Sequence, residues 1–182
     1  MIIQKIATLC KKEKALFVKN IIDRDGVTIQ WIGIRNAVFP MVGMPIMDAH
    51  QLFTILGIES DKQKDYLYDE IMVNSDDPFF SYYDENPAEE ISGIELCRLR
   101  IQITMNETWT IFKTPDDQFL FTNEANLKPV DQMEMPRYFL RGSAIICKNG
   151  LLNYGLIGSI PVTPEDELIQ CLKNILDRIL SL

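Results

Sequence analysis

The strongest constraint on the fold of this chain is a series of β-rich segments joined by very short polar turns. The two clearest cases are residues 15–22 and 27–34, joined by the sequence DRDG at 23–26, and residues 137–147 and 151–157, joined at Asn149-Gly150. Gly adopts positive φ freely, so turn sequences of this kind favour two-stranded hairpins. Strands connected this closely are expected to pair antiparallel, because a parallel pair needs a long crossover.

A third group of strands is predicted between these two hairpins. Residues 91–105 alternate apolar and polar side chains, as expected for a strand with one buried face. Two short turns then lead into segments 108–114 and 118–122, which predicts a three-stranded meander. Residues 37–41 are expected to add a short strand beside the first hairpin, and Gly155 to accompany a bulge in the last strand.

Capping residues and apolar spacing predict four helices. They cover residues 2–12, 49–56, 61–73 and a final segment from Pro164 onward. Asp48 and Gln51 form a capping-box pattern for the second helix, and Gly57 suits the position just beyond its end. The final helix begins with Thr163 as its cap, and its wide apolar stripe is expected to pack on the sheet. The alternative for that stripe is a homodimer interface.

These elements predict an α+β fold: a mainly antiparallel sheet of hairpin, meander and hairpin, packed against the C-terminal amphipathic helix and the short helices. The length of 182 residues fits one domain over residues 1–182. A possible substructure divides it into a helix-hairpin-helix part at 1–58 and a sheet-plus-helix part at 91–182. The acidic segment 59–90 would join the two parts.

The net charge of −8 is concentrated in that one acidic segment. Residues 59–90 hold eleven acidic and two basic side chains, a net charge of −9, so the rest of the chain is close to neutral at +1. A solvated loop that aids solubility explains such a segment, and an acidic docking surface is the alternative. Basic residues gather instead near the N-terminus, but a pI near 4.7 argues against nucleic acid as a partner.

The loop at 74–90 combines its carboxylates with four aromatic residues. Buried, these aromatics would pin the loop to the core; exposed, they would form a binding patch rimmed by carboxylates. The candidate partner-binding residues are therefore Asp76, Asp77, Phe79, Phe80, Tyr82, Tyr83, Asp84, Glu85, Glu89 and Glu90.

No motif in the chain indicates catalysis or a cofactor. Phosphate-binding glycine loops and a GxSxG elbow are absent, and the single histidine, His50, is expected on the surface of a short helix. Asp23 and Asp25 resemble the start of a calcium loop, but Ile34 stands where the twelfth-position Glu is required. The sequence predicts no catalytic residue, no metal ligand and no cofactor. A metal-dependent hydrolase that uses the acids of 76–90 is the alternative.

Four well-separated cysteines form no CxxC pair, and no apolar run is long enough for a membrane span. The start of the chain lacks the layout of an export signal. We therefore expect a cytoplasmic protein with reduced thiols and no membrane association.

The stretch from Trp31 to Ile58 resembles small uncharacterised proteins of bacterial prophage-like elements. The resemblance is carried by Trp31-Ile32-Gly33, Ala37-Val38-Phe39-Pro40, Gly43-Met44-Pro45, Asp48, Leu52, Thr54, Gly57 and Ile58. It implies a bacterial or phage origin and a cytosolic setting, but no activity.

The sequence thus favours a non-enzymatic protein-binding or assembly module, phage-related if the resemblance holds. The partner is expected to be an unidentified protein. Besides the hydrolase, a second alternative is an acidic mimic of nucleic acid, because Asp61, Asp65 and Asp69 would share one face of the helix predicted at 61–73.

Overall fold

A computed structural model describes residues 2–85, 97–102, 108–114, 119–131 and 136–162 of the chain. Its helices are α1 (Ile2–Glu13), α2 (Ala49–Ile55) and α3 (Glu124–Leu127), with 3₁₀ turns at Gln63–Asp65 and Pro78–Tyr82. Its strands are β1 (Ala15–Ile22), β2 (Thr28–Ile34), β3 (Ala37–Pro40), β4 (Leu67–Val73), β5 (Cys97–Gln102), β6 (Thr108–Lys113), β7 (Phe119–Asn123), β8 (Arg137–Arg141), β9 (Ala144–Asn149), β10 (Leu152–Gly158) and β11 (Ile160–Val162).

Seven of the strands form one large sheet in the order β4-β1-β2-β3-β10-β9-β8. Every neighbouring pair in it is antiparallel except β1 and β4, which run parallel. Because β3 pairs with β10, strands from both sides of the acidic segment lie in the same sheet. An α+β chain with mostly antiparallel pairing is therefore confirmed.

The four remaining strands form a second, antiparallel sheet in the order β11-β7-β6-β5. The predicted meander is confirmed here, since β5 pairs with β6 and β6 with β7. The chain passes from the large sheet to this one at Ser159, between β10 and β11.

The large sheet has a hydrophobic cluster on each face. The larger cluster joins α1, α2 and the second sheet to one face, through residues such as Ile6, Leu52 and Phe112, all fully buried. The smaller cluster covers the opposite face and includes Trp31 and Phe80. Strand residues alternate between faces, so β2 presents Ile32 to the larger cluster and Trp31 to the smaller one.

Several local predictions are confirmed because short-range chemistry decides them. The Asp48 side chain accepts a hydrogen bond from the Gln51 backbone amide (2.9 Å), and the Gln51 side-chain oxygen accepts one from the Asp48 backbone amide (3.0 Å). Gly57 follows with φ of 64°. In the β1–β2 turn, the Asp23 carboxylate accepts from the amides of Asp25 and Val27, which confirms the predicted turn.

The helix predicted at 61–73 is wrong. The chain there forms a 3₁₀ turn and then β4, which pairs parallel to β1. The Leu67 amide donates to the Lys14 carbonyl (3.0 Å), and Glu70 accepts from the buried amide of Asn20 (2.7 Å). These long-range contacts outweigh the local sequence pattern from which the helix was predicted.

The Asn20 amide belongs to a polar network that explains how β4 is held. Asn20 Oδ1 accepts from Gln30 Nε2 (3.1 Å), and Gln30 also bonds the backbone of Met47 in both directions. Asn20 and Gln30 are both buried, so each needs its partners. The network therefore joins β4 to β1, β2 and the loop before α2.

The single strand predicted at 137–147 is also wrong. Gly142 takes φ of 58° in a tight turn, which divides the segment into β8 and β9. The expected irregularity near Gly155 is confirmed as a register shift between Asn153 and Gly155. A Cβ on Gly155 would lie 3.0 Å from the Phe39 ring, so the large side chain of β3 fills that space. The C-terminal helix and its packing lie outside the described residues.

Gly33 provides a test of the β2–β3 packing. A Cβ at Gly33 would lie 2.0 Å from the Ala37 carbonyl oxygen, a backbone atom that cannot rotate away. We expect Gly33→Ala to lower the free energy of unfolding by about 3 kcal/mol or more, measured by urea denaturation. Gly158→Ala is the matched control, because a Cβ there meets its nearest atom at an ordinary 3.5 Å. Equal stability of the two variants would contradict this packing.

Candidate functional site

The acidic, aromatic loop is clamped to the large sheet by Arg141. Its guanidinium Nη1 donates to the carbonyl oxygens of Ser81 (3.3 Å), Tyr82 (3.1 Å) and Asp84 (2.6 Å). Arg141 ends β8 and is only 9% exposed. A guanidinium carries several donors in a fixed plane, so a single side chain can satisfy several carbonyls of one turn. Arg141 therefore fixes the backbone of the loop.

Asn153 holds the same turn from the neighbouring part of the sheet. Its Nδ2 donates to the carbonyls of Tyr83 (2.8 Å) and Asp84 (3.0 Å), and the residue is 4% exposed. Its Oδ1 is buried and has no hydrogen-bond partner. A buried polar atom left without a partner is costly and unusual in a folded protein. Asn153 therefore both anchors the loop and leaves an acceptor unused.

Local sequence shapes the clamped turn itself. The Asp77 side chain accepts from the Phe79 amide (2.8 Å), and Pro78 follows at the first helical position. Both are standard ways to begin a helical turn. The Tyr83 amide closes the turn by donating to the Phe80 carbonyl (2.8 Å).

Two of the four loop aromatics are buried under this clamp. Phe80 and Tyr83 are 6% and 8% exposed and belong to the smaller cluster on the sheet. The Tyr83 ring meets Trp31 edge-on, with centroids 5.2 Å apart and planes at 75°. Burial raises the pKa of the Tyr83 hydroxyl above its usual range. The loop is thus pinned to the core, while Phe79 stays 66% exposed.

A pocket of about 170 Å³ lies between this loop and the sheet. Trp31, Phe80 and Tyr83 supply its aromatic surface, with further apolar contacts from β1, β2 and Pro40. Three acidic residues, Asp23, Asp84 and Glu85, also line it, as does Asn153. Among the described lining residues none is basic. The pocket is below the roughly 300–1,000 Å³ of sites for drug-sized ligands.

Basic side chains of the protein already lie near rings of the smaller cluster. The Lys19 ammonium is 6.0 Å from the Tyr83 ring centre, and Arg137 and Lys148 lie 5.0 and 5.9 Å from that of Phe139. Cations are attracted to aromatic faces at this range. Burial lowers the pKa of Lys19, an effect that the nearby charge of Asp69 opposes.

The predicted partner-binding residues divide into three groups. The first group lies on the clamped turn or at the pocket and consists of Phe80, Tyr82, Tyr83, Asp84 and Glu85. Asp76 and Phe79 are exposed beside it, and Asp77 caps the turn. Glu89 and Glu90 lie outside the described residues.

The pocket residues that sequence reasoning missed are Asp23, Trp31 and Asn153, together with Arg141 behind the loop. Asp23 and Trp31 belong to the β1–β2 hairpin, whereas Arg141 and Asn153 belong to β8 and β10. These two distant parts of the chain meet only through the strand order of the large sheet. The local signal was the bulge at Gly155, two residues from Asn153.

His50 does not form a catalytic pair with Cys10 or Cys147. His50 is exposed on α2, whereas both of these cysteines are fully buried. Burial raises the pKa of the Cys10 thiol to about 12, and its Sγ donates to the Gly33 carbonyl (3.5 Å). Over the described ranges, no three His, Cys, Asp or Glu residues are grouped closely enough to hold a metal ion.

Comparisons with known proteins leave the family open. The chain matches no protein-family model, and no curated protein or solved structure is significantly similar to it. In the part of the chain that the structure describes, no helix has the length and apolar character to cross a membrane.

The clamp predicts a local effect when Arg141 is removed. We expect Arg141→Met to speed hydrogen exchange at the Tyr83 and Asp84 amides by about tenfold or more, because the turn loses charged hydrogen bonds. Arg35→Met is the control, since it removes the same charge from an exposed turn. Unchanged exchange in Arg141→Met would show that Arg141 does not hold the loop.

The thiol of Cys10 is predicted to be inert in the folded protein. With a pKa of about 12 and no exposure, it should react with iodoacetamide near neutral pH only after unfolding. Peptide mapping by mass spectrometry, with and without urea, measures this directly. Rapid labelling of Cys10 without urea would contradict the burial described here.

Proposed function

We propose that this protein is a non-enzymatic protein-binding module whose loop pocket captures a lysine or arginine side chain of its partner. The observation that carries the proposal is the pairing of an aromatic surface with three acidic residues in the lining of one small pocket. An aromatic face and nearby carboxylates both favour a cation, and the effect grows where water is excluded.

The size of the pocket supports a single side chain as the occupant. At about 170 Å³ it is smaller than the usual site for a cofactor or drug-sized molecule. A flexible basic side chain reaches such a pocket while its own backbone stays on the surface. The exposed Phe79 beside it offers an apolar contact for the rest of a partner.

The unused Oδ1 of Asn153 supports the same occupant. Lysine and arginine carry only donors at their charged ends, so they suit carboxylate and amide oxygens together. A small rotation of the Asn153 side chain would offer this acceptor to a bound cation. The described lining residues include no histidine, cysteine or serine that would act on a substrate there.

The two alternative functions have less support. Because residues 61–73 form a turn and a strand, Asp61, Asp65 and Asp69 do not share a helix face, which removes the spacing argument for a nucleic-acid mimic. The metal-dependent hydrolase and the phage-related setting stay predictions that no observation favours.

The proposal is tested by titrating the protein with N-acetyl-arginine amide and N-acetyl-lysine amide. Trp31 lines the pocket, so its fluorescence reports binding once Trp109→Phe has removed the other tryptophan. We expect weak, salt-sensitive binding of both cations, since only one side chain is captured, and no binding of neutral N-acetyl-glutamine amide. Equal response to the neutral amide would contradict the proposal.

A matched pair of variants separates the pocket from general acidity. Asp84→Asn with Glu85→Gln removes two pocket charges and should abolish the response. Asp61→Asn with Asp65→Asn removes two exposed charges elsewhere in the acidic segment and should leave binding nearly unchanged. Equal losses in both double variants would mean that only the overall field attracts the cation.

A further inference from the structure

Strand β4 is an exposed edge of the large sheet and carries unusual apolar exposure. It pairs with β1 on one side, and among the described residues no strand pairs with its other side. Leu67, Ile71 and Met72 are 60%, 40% and 62% exposed. Open strand edges with apolar side chains invite pairing with another chain, and most proteins protect them.

The hydrogen-bond pattern shows which backbone groups point outward. The Leu67 amide donates inward to the Lys14 carbonyl of the β1 side (3.0 Å). In a parallel pair, successive residues alternate between bonding inward and pointing outward. Tyr68, Glu70 and Met72 therefore direct their amides and carbonyls to the free edge.

The edge is held rigidly enough to act as a template. Glu70 accepts from Asn20 on β1, and the Tyr68 hydroxyl donates to the same carboxylate. Tyr68 also packs beside Phe53, with ring centres 6.0 Å apart. A strand already fixed in this way loses little conformational freedom when another strand pairs with it.

The charge around β4 identifies the occupant. Residues 59–77 carry seven acidic and two basic side chains, including Asp69 and Glu70 on the strand itself. Two copies of β4 paired about its centre would bring these carboxylates together, which opposes self-association. Side chains alternate between faces, so Glu70 lies on one face of β4, and Leu67 and Ile71 lie on the other. A strand that alternates basic with apolar residues can place its basic side chains beside Glu70 and its apolar ones beside Leu67 and Ile71.

We propose that β4 binds an extended, basic segment of a protein partner as an added strand of the large sheet. This surface goes beyond the pocket, because none of the described pocket-lining residues belongs to β4. Main-chain hydrogen bonds supply the affinity, and the alternating side chains supply the preference for basic partners.

The probe is a fluorescently labelled peptide in which lysine alternates with valine, KVKVKVK. Binding is measured by anisotropy at low salt. We expect it to bind and EVEVEVE not to bind. A KVKVKVK peptide methylated on every backbone nitrogen, which blocks both of its strand edges, should bind at least about tenfold more weakly, because it loses strand hydrogen bonds. Equal binding of the methylated peptide would overturn the proposal, since charge alone would then explain the affinity.

Met72 supplies the matched protein variants. Met72→Pro removes an outward amide while leaving the inward bonds to β1, and Met72→Ala removes the side chain but keeps the amide. We expect about a tenfold loss of affinity for Met72→Pro and a smaller loss for Met72→Ala. Equal affinity of the two variants, each shown by circular dichroism to be folded, would contradict strand addition. If Met72→Pro fails to fold, the methylated peptide still decides the question.

Two further readouts separate this surface from its competitors. In the Asp84→Asn with Glu85→Gln background, which removes capture of lysine by the pocket, KVKVKVK binding should still be weakened by Met72→Pro, so failure of the pocket and failure of the strand edge are distinguishable. Light scattering should also show that the free protein does not dimerise through β4, which would be a dimer that Met72→Pro disrupts. Loss of peptide binding only in the pocket variant, or a dimer sensitive to Met72→Pro, would overturn the proposed occupant.

Discussion

The arrangement of this protein's surface depends on one buried guanidinium. Arg141 donates to three carbonyls of the turn at 81–84, and Asn153 donates to two carbonyls of the same turn. A charged group buried in this way is stable only if its donors are satisfied, and unpaired carbonyls in the turn would be equally costly. The contact between Arg141 and this turn provides acceptors for the guanidinium and donors for the carbonyls at the same time. An acidic, aromatic segment that would otherwise be a solvated loop becomes part of the sheet surface.

The consequence for the charge distribution is specific. The segment 59–90 carries the excess negative charge of the chain, and the structure places four of its described acids at two separate sites. Asp84 and Glu85 lie at an aromatic pocket, and Asp69 and Glu70 lie on the edge strand β4. A general acidic character explains solubility alone. At these positions, by contrast, acidic residues lie beside Trp31 in the pocket and beside the exposed backbone groups of β4.

Short-range signals in the sequence were sufficient for much of the fold. The Asp48–Gln51 capping box, the Asp23 turn and the hairpins follow from residues within a few positions of one another, so they could be predicted and are confirmed. The strand conformation of β4 could not be predicted in this way, because it depends on contacts with Lys14 and Asn20, which lie about fifty residues earlier in the chain. The loop aromatics and carboxylates of the site were also predicted. Trp31, Arg141 and Asn153 were missed, since only the order of strands in the large sheet brings them to that loop.

The proposed cation-binding pocket depends on the Arg141 clamp. The most direct measurement is the affinity of folded Arg141→Met for N-acetyl-arginine amide, followed by Trp31 fluorescence in the Trp109→Phe background. Loss of the clamp should release Asp84 and Glu85 from the aromatic surface. We therefore expect Arg141→Met to bind N-acetyl-arginine amide at least about tenfold more weakly than the parent protein does. An unchanged affinity, in a variant that circular dichroism shows to be folded, would contradict it.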